Sequence, residues 1–225
     1  MKKQWCIPPE ANAAFVCNME DVLEVYKRPY DPQRPVVCLD ETSRQLLADT
    51  RVPLPCAPGQ PAGADHEYER GGTANLLLAF EPLAGQRHTR VTEQRTKVDW
   101  AQFMKALLDG PYAHVEKVVL VQDNLNTHVP ASFYEALPPA EARRLVEKLE
   151  WHYTPKHGSW LNLAEVEFSV LERELPARVG TRRRFAELAS DWTRKRNRAG
   201  VCAHWRFTTA DARIKLKRLY PQIER

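Results

Sequence analysis

Val118-Val119-Leu120-Val121-Gln122-Asp123-Asn124-Leu125-Asn126-Thr127-His128 is the stretch on which the fold turns. Its first half is a near-continuous apolar run, too short for an ordinary helix and rich in β-branched valine, so it reads as a strand over 117–123. A strand without polar alternation is buried on both faces, which places it inside a sheet covered by helices on both sides. Its second half reverses the chemistry at once. A carboxylate, amides and an imidazole follow within seven residues. Ligand-binding groups of such sheets gather at the carboxyl ends of strands.

Two other segments carry a carboxylate in a comparable setting. Val36-Val37-Cys38-Leu39 runs into Asp40, and Ser159-Trp160-Leu161-Asn162-Leu163-Ala164 runs into Glu165 at the start of a helical stretch. Strand alternation puts Cys38 with Asp40 on one face and Val121 with Asp123 on one face. If the two strands are neighbours, both aspartates reach one crevice, with Glu165 arriving from a helix beside the sheet. Singly, each residue has a plainer reading. Asp40, followed by Thr42 and Ser43, could cap a helix or turn, and Asp123-Asn124 could be a turn. Glu165 could be any exposed helix glutamate, with Glu167 as a close competitor, and His128 a cap or core histidine. Together they define a cluster of carboxylates that would repel one another and take up protons unless cations neutralise them. Hard oxygen ligands suit Mg²⁺ or Mn²⁺. A pair of such ions stabilises the attacking and leaving oxygens of a phosphoryl transfer.

Working outward, apolar spacing predicts a helix over 10–27, with Phe15, Met19, Val22 and Tyr26 on one face, stopped by Pro29, Pro32 and Pro35. Residues 51–72 are rich in Pro and Gly and read as a loop or extended arm. Strands over 74–81 and 87–93 flank a hairpin turn. Helices follow over 97–108, 139–149, 162–174 and 181–196, with a short strand over 150–153. Thr208 and Asp211 have the spacing of a capping box opening a last helix before Pro221. Antiparallel strands followed by strand–helix alternation give an α/β domain with a mixed sheet flanked by helices.

The 225 residues suit one domain with appendages. The longest apolar stretch, Ala74 to Phe80, is too short to span a bilayer, and residues 1–9 have no signal-peptide core, so no membrane role and a cytoplasmic location are expected. The five cysteines, Cys6, Cys17, Cys38, Cys56 and Cys202, contain no Cys-x-x-Cys pair and read as reduced thiols. Charge is unevenly spread. Residues 1–175 hold 19 Lys and Arg against 25 Asp and Glu, a net of −6, and residues 176–225 hold 14 against 4, a net of +10. A basic C-terminal fifth on an acidic body is a footprint for a polyanion, or a solvated helical face. Arg182, Arg183, Arg184, Arg194, Lys195, Arg196 and Arg198 carry it. Phe185, Leu188 and Trp192 on the same helix would anchor it.

These segments resemble the DDE transposases of the Tc/mariner superfamily, in its bacterial insertion-sequence branch. The resemblance rests on Leu39-Asp40-Glu41, on Val121-Gln122-Asp123-Asn124 with His128, and on Ser159 through Glu165, where Leu163 and Ala164 stand in place of the family's usual Pro and Ile. The 41 residues between Asp123 and Glu165 suit that branch. The resemblance implies a ribonuclease H-like catalytic domain over 35–175, preceded by a linker helix over 1–34 and followed by basic helices over 176–225 packed on it. It implies two Mg²⁺ (or Mn²⁺) ions held by Asp40, Asp123 and Glu165, with Asn124, His128 and Asn162 as accessory residues. DNA is the implied substrate, cleaved and then joined. The family's helix-turn-helix modules have no counterpart ahead of Asp40. The expected partners are therefore a second copy, a full-length transposase or an upstream DNA-binding half. Two other functions fit the same residues: a non-catalytic remnant that binds DNA or an intact transposase and inhibits it, and a stand-alone metal-dependent nuclease.

Overall fold

The computed structural model describes residues 10–52, 54–61, 63 and 66–222. Cys6, the Pro8-Pro9 pair and parts of the Pro/Gly-rich arm lie outside the described residues. Five strands form one sheet: β1 (Val36–Asp49), β2 (Tyr68–Glu81), β3 (Gln86–Thr92), β4 (Val118–Gln122) and β5 (Leu149–Tyr153), in the order β3-β2-β1-β4-β5. β2 pairs antiparallel with β1 and β3, whereas β4 pairs parallel with β1 and β5. The sheet is therefore mixed, as expected, and all five residues of β4 are buried.

Alternation along the strands sorts the core into two layers. Cys38, Leu76, Leu78, Phe80, Val119 and Val121 face helices α1 (Ala13–Tyr26), α5 (Leu163–Glu174) and α6 (Arg182–Arg198), together with α7 (Thr209–Lys215). Val37, Leu39, Leu77, Ala79, Val118 and Leu120 face α2 (Lys97–Asp109), α3 (Ala131–Ala136) and α4 (Pro139–Glu147). The first helix, read from the sequence as a linker, lies in the first layer with Phe15, Met19, Val22 and Leu23 buried. Tyr26 at its end donates to the Leu161 carbonyl at 2.7 Å, and its hydroxyl lies 3.3 Å from the Cys38 sulfur. It thereby ties the helix to β1 and to the turn before α5. Among the described residues, no helix is long and apolar enough to cross a membrane.

Three features differ from the sequence reading. Asp40 does not end its strand, because β1 continues to Asp49. The parallel pairing with β4 covers only Val36 to Cys38, and beyond it β1 runs on against β2 alone. Asp40 thus sits two residues past the parallel segment, at the mouth left where β4 ends. β2 also starts earlier than its apolar run, at Tyr68, because β1 pairs with it again at Arg70, Glu69 and Tyr68 beyond a bulge, and Gly71 and Gly72 lie in that break of register. A Cβ on Gly71 would lie 2.7 Å from the Gly180 carbonyl, so a side chain there is excluded by the segment leading into α6. Finally, α3 went unpredicted, since its six residues are too few to display a period.

Candidate active site

The site is assembled where β1, β4 and α5 meet. Asn162 caps α5, its Oδ1 accepting from the Ala164 amide at 3.1 Å. The same side chain donates from Nδ2 to the Leu39 carbonyl at 2.9 Å and to Asp40 Oδ2 at 3.2 Å. One amide therefore starts the helix and fixes it to the strand beside Asp40. Glu165 falls in the first turn, where the helix dipole favours a negative charge. Its carboxyl hydrogen-bonds that of Asp40.

The electrostatics are those of crowded acids. Burial, with the Glu165 charge next, pushes the Asp40 carboxyl up to about 8, against the Glu41 amide that donates to Oδ1 at 2.8 Å. Glu165 is raised by burial and by Asp123, while its hydrogen bond with Asp40 works the other way. Two residues on, Glu167 is turned away from this cluster. It receives Arg87 Nε at 2.8 Å and Arg87 Nη2 at 2.9 Å, with Arg196 Nη2 also at 2.9 Å. Glu165, and not Glu167, faces the aspartates.

Asp123 lies on the loop after β4, its side chain 31% exposed, and Oδ1 is taken by His128 Nδ1. The imidazole is fully buried. Its Nε2 meets Glu41 Oε2 at 2.5 Å, and Trp100 stacks on its ring at 5.9 Å between centroids. Burial opposes the charged form of His128, but the carboxylates on its two nitrogens raise it to about 9. Arg95 approaches the other Glu41 oxygen at 3.3 Å. Gln122 Nε2 holds the His128 carbonyl at 2.8 Å and closes the loop. Asn124 is exposed beside Asp123. Trp100 and Arg95 were given no site role from the sequence, and Glu41 entered only as part of the Leu39-Asp40-Glu41 motif. Glu41 follows Asp40 directly, and alternation alone sends its side chain to the opposite face.

The oxygen donors fit a hard divalent cation in charge and type. Among the described residues, however, no three of His, Cys, Asp or Glu are disposed to hold a metal as they stand. Of the three residues expected as ligands, Glu165 and Asp40 lie together and Asp123 is drawn toward His128.

On α6, Phe185, Ala189 and Trp192 are buried against the sheet. Arg182 pairs with Glu93 at 2.6 Å, Arg183 and Arg184 with Glu187 at 3.1 and 3.4 Å, Lys195 with Glu174 at 3.3 Å, and Arg194 with Asp191. These pairs are exposed and weak. Arg196 departs from the expectation of an outward cation. Its side chain is 16% exposed and committed to Glu167, because the helix turn that buries Trp192 also faces α5.

Residues 35–186 match the family model of the DDE superfamily endonuclease, and the chain belongs to that family. Solved structures show the same ribonuclease H-like fold. The Mos1 mariner paired-end complex with Mg aligns at TM-score 0.60 and 17% identity, over 99% of this chain and 67% of that one. The Mos1 paired-end complex with the left transposon end gives TM-score 0.54 and 17% identity, covering 89% of this chain. The catalytic domain of Mos1 mariner transposase gives 0.54 and 12%, over 88% of this chain and 91% of that one. The chain spans 62% of the transposase in the left-end complex. A search of curated proteins returns no significant match.

Proposed function

We propose that this chain is the catalytic domain of a DNA transposase of the bacterial insertion-sequence branch, with Asp40, Asp123 and Glu165 as ligands for two Mg²⁺ or Mn²⁺ ions. The observation that carries the reading is the meeting of Glu165 with Asp40 beside Asp123, while Glu167 is spent on arginines. Acids held together against their own repulsion lower the stability of the fold, and a cation removes that penalty. Bound ions supply activation of the attacking oxygen and neutralise the leaving oxygen. The chain's own residues do the placing. Asn162 fixes Asp40 against α5, the helix N-terminus supports Glu165, and His128 holds Asp123. Water is the first nucleophile on this reading, and the freed 3′-hydroxyl attacks target DNA second. The outward cations of α6, Arg182, Arg183, Arg184, Arg194 and Lys195, contact DNA phosphates on this reading, and Arg196, held by Glu167, does not. A second copy of the chain is the protein partner on this reading. Solved relatives of the fold are complexes with transposon-end DNA and with Mn, which supports both expectations.

The test is nicking of supercoiled DNA with Mg²⁺ or Mn²⁺. Asp123→Asn removes one ligand charge with almost no change in shape and is expected to abolish nicking while leaving the circular-dichroism spectrum intact. Equal activity in that variant, or full activity in a chelator, defeats the proposal.

A further inference from the structure

We propose that Glu41 and His128 form a positioning pair that holds Asp123 by one carboxylate oxygen and leaves the other free for metal; this rests on the reading of Asp123 as a ligand. Asp123 stands on a loop, where an aspartate can swing between rotamers. What restrains it is the ring of His128, whose Nδ1 takes Oδ1. That ring is itself fixed on every side. Glu41 Oε2 binds Nε2 at 2.5 Å, Trp100 covers one face, and the His128 backbone amide and carbonyl are bound by the Leu125 carbonyl at 3.0 Å and Gln122 Nε2 at 2.8 Å. Ser132 Oγ closes the same loop on the Thr127 carbonyl at 2.7 Å. Glu41 is in turn part of β1, its side chain 2% exposed.

The arrangement uses the strand's two faces. Asp40 points toward α5 and Glu165, and Glu41, one residue on, points toward α2 and His128. One rigid strand therefore references two ligands that belong to different elements. A carboxylate–imidazole pair behind a ligand fixes ring orientation and ligand direction, and loss of such outer partners typically weakens metal binding about 10–100-fold.

The experiment titrates Mn²⁺ into the metal-free protein without DNA, reading free Mn²⁺ by electron paramagnetic resonance. Glu41→Met and His128→Asn each remove a link. Both are expected to bind Mn²⁺ about 10–100-fold more weakly than the wild type, whereas Glu41→Gln keeps an acceptor for Nε2 and retains most of the affinity. Thermal melts without metal accompany the titration. A purely structural role lowers the melting point but leaves the Mn²⁺ affinity of the folded fraction alone. Binding within about twofold of wild type in Glu41→Met and His128→Asn, with binding lost in Asp123→Asn, overturns the positioning role and spares the ligand assignment. Unchanged binding in Asp123→Asn overturns both.

Discussion

Glu165 and Glu167 lie two residues apart on α5, yet the structure gives them opposite energetic signs. Glu167 is 3% exposed and bridges Arg87, itself fully buried, to Arg196. Burial works against its charge, but Arg87 and Arg196 hold its carboxyl below the usual range. Glu167→Gln keeps the volume and removes the charge. It leaves the Arg87 guanidinium with the Gly85 and Val201 carbonyls and the Phe80 ring, no anionic partner among the described residues, and the Arg196 cation nearby. Breaking one side of a buried pair costs about 3–5 kcal/mol. At about 2–4 °C per kcal/mol for a chain of this size, Tm falls by roughly 6–20 °C. Glu165→Gln does the reverse in metal-free protein. It removes a charge that Asp40 and Asp123 oppose, so Tm stays level or rises. The assay is a urea titration and a thermal melt of both variants in chelator. Nicking assays accompany it, with Glu165→Gln expected to be inactive although stable. A Glu165→Gln variant destabilised as much as Glu167→Gln would refute the assignment of the two side chains.

Glu150 receives Arg28 at 2.6 Å, His152 at 3.0 Å and Arg34. Burial opposes these bonds, which still lower its carboxyl to about 2 from an ordinary 4.5. A depressed folded pKa gives stability that is complete above the unfolded value and lost as pH falls through the folded one. Glu150→Gln is therefore expected to be less stable than wild type near neutral pH, with the gap closing between about pH 4.5 and 2; a gap constant over that range contradicts the pairing. On α6, replacing Arg182, Arg183 and Arg184 with alanine is expected to weaken duplex binding on all sequences alike and to flatten the salt dependence, at about 0.9 in log–log slope per lost phosphate contact. An unchanged slope would assign those arginines to Glu93 and Glu187 alone.

The sequence alone determined a good deal here. The unbroken apolar run of β4 required helices on both sheet faces, because a strand with no polar face has no solvent side. The density of polar residues from Asp123 to His128 marked the candidate site, since so many polar groups at the end of a buried strand are more than packing asks for, although His128 itself is buried against Trp100. The capping-box spacing of Thr208 and Asp211 located the last helix, because that signal is confined to four consecutive residues. Other features depend on partners distant in the chain. Asp40 looked like a strand end because apolar residues stop there. The strand continues since β2 supplies its hydrogen bonds, and a hydrogen-bond partner leaves no trace in local composition. Glu165 and Glu167 could not be ranked by spacing. Arg87, 80 residues away, claims one, and Asp40, 125 residues away, meets the other. Glu41 had no visible role because His128 is 87 residues off. Arg196 read as one more surface cation until the packing of α6 on β3 brought it to Glu167. Periodicity and burial preference are properties of neighbours in sequence, and they were legible. Which charge neutralises which is a property of neighbours in space, and only the folded chain brings those together.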